Sequence, residues 1–198
     1  MAFSPNILSR AAASFSLLAA ALTASGCGGS SGGLQIASAG ADADGVTSGF
    51  IEVRRFWRAE EGDWVTVGTE STDGELRSWG YVDRHVQFLA PASPGADTVP
   101  VYRWYSAADQ DWVTFRDGDP SDATIASWGY TNKTFSFHAY ASPGPDRVEV
   151  SRWWSEKDRD WVTLADDEIP EATLRSWGYA NKHPLFFAKR LPQAQKAP

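Results

Sequence analysis

A chain of 198 residues, 42% hydrophobic and 13% aromatic, can bury the core of one ordinary domain and leaves some length for extensions. Its formal charge of -7, made more negative if a leader carrying only Arg10 is removed, argues against nucleic acid as a partner, because phosphate recognition needs a net basic face. With one cysteine, Cys27, no intramolecular disulfide can form.

The first 26 residues have a short polar start with Arg10, an apolar run from Ala11 to Leu22, and small residues leading into Ser25-Gly26-Cys27. The run is too short to span a bilayer. It resembles a bacterial lipoprotein signal, which implies cleavage before Cys27 and lipidation of that thiol. Gly28 after the cysteine then implies an exported protein held by lipid at the outer membrane or cell surface. An ordinary secretory signal with an incidental cysteine is the alternative. Residues 27–49 are rich in Gly, Ser and Ala and cannot offset their ordering entropy by burial. They read as a tether with a root-mean-square reach of roughly 25 Å. Residues 191–198 read as a short polar tail.

Between tether and tail the chain contains one segment three times, at 53–100, 101–149 and 150–190. Asp-Trp-Val-Thr recurs at 63–66, 111–114 and 160–163, and Ser-Trp-Gly-Tyr at 78–81, 127–130 and 176–179. All ten tryptophans lie within these copies. Residues 101–105 are dense in β-branched and aromatic side chains and predict a strand, with Val101, Arg103 and Tyr105 on one face. A polar turn and a second strand over 112–115 complete a hairpin. Helix signals follow over 75–79, 123–128 and 172–177: acids in the first turn, Pro120 and Pro170 near the start, and Gly80, Gly129 or Gly178 as a left-handed stop. Phe135 and Phe137, alternating with Ser136 and His138, predict the last strand, and Trp79, Trp128 and Trp177 are expected in the core.

Three like copies without an atypical cap must close on one another to remove their strand edges. The expected fold is all-β, a pseudo-threefold β-trefoil-like domain with a short helix in each copy, and a β-prism is the runner-up. The run Arg-Trp-Tyr-Ser, Asp-Trp, Asp-Ala-Thr-Ile-Ala-Ser, Gly-Tyr, Phe-Ser-Phe-His resembles a bacterial tandem repeat family of unknown function found in secreted and surface proteins. The resemblance covers residue 53 to about 190 and implies trefoil-like, lectin-like arrays. Trp64, Trp112 and Trp161 stand where that pattern usually has His, and Asp83-Arg84, Asn132-Lys133 and Asn181-Lys182 where it has Glu-Gly.

No nucleophile elbow, phosphate loop or His-Glu-x-x-His motif occurs, and the histidines do not recur in all copies, so no catalytic residue, metal or cofactor is expected. Asp117, Asp119 and Asp122 match no calcium loop and read as acids at a helix start. A sugar presents an apolar ring face and a rim of hydroxyls, which suits an aromatic plate beside a carboxylate or amide. The pairs Asp63-Trp64, Asp111-Trp112 and Asp160-Trp161, with Asn132 and Asn181, are the candidate ligand site. In the alternative these tryptophans are core and each Asp pairs with Arg55, Arg103 or Arg152. The expected function is a weak, multivalent, non-catalytic carbohydrate-binding envelope lipoprotein, its partner a glycan or surface polysaccharide. The rival is a protein-interaction or structural lipoprotein without a sugar site.

Overall fold

The computed structural model describes residues 49–192. The expected signal, Cys27, nearly all of the tether and the end of the tail lie outside the described residues. The domain is all-β and antiparallel, with three short helices.

Each segment starts with a hairpin. β1 (Phe50–Arg58) pairs with β2 (Asp63–Val67), β4 (Thr98–Ser106) with β5 (Asp111–Arg116), and β7 (Arg147–Ser155) with β8 (Asp160–Ala165). A helix follows: α1 (Asp73–Ser78), α2 (Asp122–Ser127) or α3 (Glu171–Ser176). The last strand, β3 (Val82–Pro91), β6 (Thr131–Tyr140) or β9 (Tyr179–Lys189), returns to pair with the first strand of its own hairpin. Across segments β9 bridges β3 at Leu89↔Lys189 and β6 at Tyr140↔Phe187.

The strand alternation expected for residues 101–105 breaks. Arg103 and Trp104 are both buried while Tyr105 is half-exposed, because the pairing of β4 with β6 shifts register between Arg103 and Tyr105. Such a bulge adds a residue on one strand and reverses the in/out phase beyond it. The same shift lies between Arg55 and Trp57 and between Arg152 and Trp154.

Helix α1 starts earlier than the expected residue 75 because Thr72 caps it. Its Oγ1 accepts from the Glu75 N–H at 3.2 Å while the Glu75 carboxylate accepts from the Thr72 N–H at 2.8 Å. At the other end Gly80 has φ of 89° and donates to the Arg77 carbonyl, and Tyr81 N–H donates to the Leu76 carbonyl, both at 3.0 Å. This is a Schellman stop, which turns the chain and sets Tyr81 against Leu76. Gly129 and Gly178 stop α2 and α3 with φ of 92° and 97°. A Cβ at Gly129 is expected to cost about 1 to 2 kcal/mol for the left-handed backbone, readable as a lower urea midpoint for Gly129→Ala.

The stop also corrects the expectation for the neighbouring tryptophans. Leu76, Ile125 and Leu174 are the buried helix positions, and the tyrosines after the glycines fill the space beside them. Trp79, Trp128 and Trp177 are left at the turn facing solvent, 46%, 45% and 49% exposed.

The main core runs through all three segments, from Val53, Phe88 and Ala90 through Val101, Phe137 and Ala139 to Val150, Phe186 and Ala188. Phe88, Phe137 and Phe186 touch one another edge to face, with centroids 5.8, 6.0 and 5.6 Å apart.

Candidate functional site

The second strand of each hairpin opens on Asp63, Asp111 or Asp160, and the three meet in the interior at 3%, 2% and 2% exposure. One carboxylate oxygen of each lies within 4.8 Å of the other two. The tyrosine delivered by each helix stop binds its own acid: Tyr81 O–H donates to Asp63, Tyr130 to Asp111 and Tyr179 to Asp160. The Trp112 N–H reaches the Asp63 Oδ1 of the preceding segment at 3.5 Å. Burial raises the pKa of all three carboxyls, Asp160 to about 8, and mutual repulsion adds to it at Asp111. Three anions in a dry site cannot all ionise, so the cluster retains protons at neutral pH. The tyrosine hydroxyls serve the Oδ2 atoms, while Asp111 Oδ1 and Asp160 Oδ1 have no hydrogen-bond partner.

The carboxylates expected to face a sugar are therefore buried and committed to tyrosines. The alternative partner, the arginine of the same segment, does not bind them. Arg55, Arg103 and Arg152, at 8%, 3% and 8% exposure, instead lie over Trp64, Trp112 and Trp161, with guanidinium carbons 4.3, 4.1 and 4.8 Å from the ring centroids. Those tryptophans are half-buried. Asn132 and Asn181 are exposed residues near the start of β6 and β9 with φ of 54° and 51°, matched in β3 by Asp83 at 53°, a backbone that Asn and Asp tolerate better than most. Lys133 is drawn to Asp117 and Asp122 at 3.0 and 2.9 Å, and Arg116 Nε holds Asp119 at 3.1 Å.

The buried arginines have unequal partners. Arg55 meets Glu168 at 2.8 Å, and the same carboxylate accepts from Gln87 Nε2 at 3.0 Å. Arg103 lies 3.8 Å from Glu70, which accepts from Ser136 Oγ at 2.7 Å, and Arg103 Nη2 donates to Ser71 Oγ at 3.2 Å. Both clamps cross from one segment to the next. At the third crossing Asp119 occupies the place of Glu70 and Glu168, and Leu185 that of Gln87 and Ser136. The acid is one methylene shorter, its polar tie is gone, and it pairs with Arg116. All three arginines have Nε and Nη1 without a hydrogen-bond partner, and Arg152 differs in having no ion pair among the described residues. Burial lowers its pKa to about 10, so it stays cationic.

At that crossing a cavity of about 390 Å³ opens, lined by Trp128, Trp154, Trp161, Arg152, His183 and Tyr130 with Asp109 and Arg159. Trp154 and Trp161 are 4.9 Å apart at 43°, and His183 is 6.2 Å from Trp161. Arg159 and Asp109 pair across the rim at 2.8 Å. Burial, then Arg152, lowers the pKa of His183 and favours the neutral ring. Of the residues expected to bind ligand, Trp161 lines this cavity; Trp64, Trp112, Asn132 and Asn181 do not. Sequence reasoning passed over Trp128, Trp154 and Arg152. The signal was present in the departures of Asp119 and Leu185 from the other two copies, rather than in the positions all three share.

No curated protein and no solved structure matches the chain. A family match does cover residues 52–187, from the first strand through most of the last and so all three segments and the cavity. The chain belongs to the family described as a domain of unknown function, DUF5648.

Proposed function

We propose that this protein is a non-catalytic carbohydrate-binding module of the cell envelope, with its site at the cavity between the second and third segments. The observation that carries this reading is the convergence of Trp128, Trp154 and Trp161 on one cavity beside a polar rim of Asp109, Arg159 and His183. Flat indoles match the apolar faces of pyranose rings, and the rim supplies donors and acceptors for hydroxyls. Affinity at one such site is weak, near millimolar or about 4 kcal/mol. Many copies held on one surface through Cys27 would raise the effective strength. The contacts of Phe88, Phe137 and Phe186, and the meeting of the three aspartates, support reading the segments as a closed, pseudo-threefold, trefoil-like domain. No helix among the described residues is long and apolar enough to cross a membrane.

Trp128→Ala is the direct test. This side chain is 45% exposed, so its loss leaves the fold intact while removing one wall of the site. On a glycan array and by calorimetry we expect at least a tenfold loss of binding with an unchanged unfolding curve. Trp79 and Trp177 are as exposed as Trp128, which favours the second reading, an interaction or structural lipoprotein using all three indoles. Binding to a protein but to no glycan, lost equally on replacing any of the three, supports that reading.

A further inference from the structure

Three equivalent arginines lie buried against tryptophan, and two of them receive a carboxylate from the neighbouring segment. The third receives none. Arg152 is 8% exposed, stacked 4.3 Å from the centroid of Phe115 and 4.8 Å from that of Trp161, and it lines the cavity. Where the first two crossings carry Glu70 and Glu168, this one has only Asp119, turned aside to Arg116. Asp119 reaches Arg152 only through its field, and a buried guanidinium without a close ion pair is costly, so the open place is one that a ligand carboxylate fills. The cavity walls say what else the ligand carries: apolar ring faces for Trp128, Trp154 and Trp161, and hydroxyls for the Asp109–Arg159 rim.

We infer that this cavity selects an acidic sugar, its carboxylate seated on Arg152 in the position that Glu168 takes on Arg55 and Glu70 on Arg103. The inference rests on the carbohydrate reading and sharpens it to a uronic-acid class of ligand. Arginine suits this role because its planar fork matches a carboxylate and remains charged when buried. His183, beside Arg152 and favoured as the neutral ring, offers a further polar contact without a competing negative charge. The nearest acid on the rim, Asp109, is occupied by Arg159. The net negative charge of the chain opposes a long polyanion, so the expected ligand is a terminal or isolated uronic acid rather than a continuous acidic polymer.

The test titrates the full chain with a glucuronic-acid-terminated disaccharide and with its neutral glucose-terminated counterpart, followed by calorimetry and tryptophan fluorescence. The acidic sugar is expected to bind at least tenfold more tightly, a preference that Arg152→Gln removes. A second variant guards against misfolding of the first. Asp119→Glu combined with Leu185→Gln rebuilds the clamp found at the other two crossings, so it should fold at least as well as the natural chain while losing the acidic sugar to its own carboxylate. Equal binding of the two sugars, unchanged by either variant, overturns the acidic-sugar inference and leaves the carbohydrate reading standing. Binding of neither sugar at millimolar concentration overturns both. Capture of a peptide C-terminal carboxylate in their place, abolished by the rebuilt clamp, overturns the sugar assignment.

Discussion

Phe137→Ala is expected to destabilise the domain by about 3 to 5 kcal/mol, the cost of emptying a large, fully enclosed aromatic site. Phe137 is 1% exposed and contacts both Phe88 and Phe186, at 5.8 and 5.6 Å, so its removal strips partners from all three segments at once. No segment can compensate alone, because each supplies one ring. With ordinary domain stability of about 5 to 15 kcal/mol, such a loss consumes a large share of the total. Trp79→Ala removes a larger ring from a 46% exposed position and is expected to change stability by less than about 0.5 kcal/mol. Urea unfolding monitored by circular dichroism separates the two. A small effect of Phe137→Ala, or a second unfolding transition, would mean that the segments do not share one core.

The second large effect is a loss of stability as pH rises from 5 to 8. Asp63, Asp111 and Asp160 have carboxyl pKa values raised by burial, Asp160 to about 8, against an unfolded value near 3.8. Their contribution is fully present below the unfolded value, where both states hold the protons. Above it the unfolded chain releases protons that the folded domain keeps, and the contribution is lost as pH climbs through the folded values. Each proton held only by the folded state costs about 1.4 kcal/mol per pH unit, so even one retained proton predicts a fall of several kcal/mol over this window. The groups facing the cluster are Tyr81, Tyr130 and Tyr179, with Arg58 beside Asp63 and Asp158 beside Asp160. His183 works in the opposite sense, its lowered value removing stability as pH falls through its ordinary range, and as a single, largely exposed group it offsets the cluster only in part. Asp111→Asn keeps an acceptor for Tyr130, removes one titrating carboxyl and supplies donors to the neighbouring carboxylates. It should flatten the slope and unfold at higher urea than the natural chain at pH 8. A midpoint that rises from pH 5 to 8 in the natural chain would contradict this account.

The hairpin, the short helix and its glycine stop were legible because each has a local cause: dense β-formers, acids and a proline at the helix start, and a glycine forced left-handed. The phase of the first strand was not, because the bulge between Arg103 and Tyr105 is set by pairing with β6, a strand some thirty residues away. The role of each Asp-Trp pair was half legible. Recurrence marked the pairs, but the choice between a surface plate and an interior tie depends on where Tyr81, Tyr130 and Tyr179 arrive, and that follows from the Schellman turn. The same turn explains why Trp79, Trp128 and Trp177 face outward. The cavity is the reverse case: it lies at the crossing where the repetition departs at Asp119 and Leu185, and reading the shared positions alone hides it.

The central functional claim is that sugar enters one cavity and meets its indoles. Titration of the full chain with the glucuronic-acid-terminated disaccharide, followed through the indole N–H signals in a proton–nitrogen spectrum, tests this most directly. The account predicts shifts at Trp128, Trp154 and Trp161 with a common binding curve, while Trp79 and Trp177 stay still. Shifts at Trp79 and Trp177 equal to those at Trp128, or no shift at Trp154 and Trp161, would contradict it.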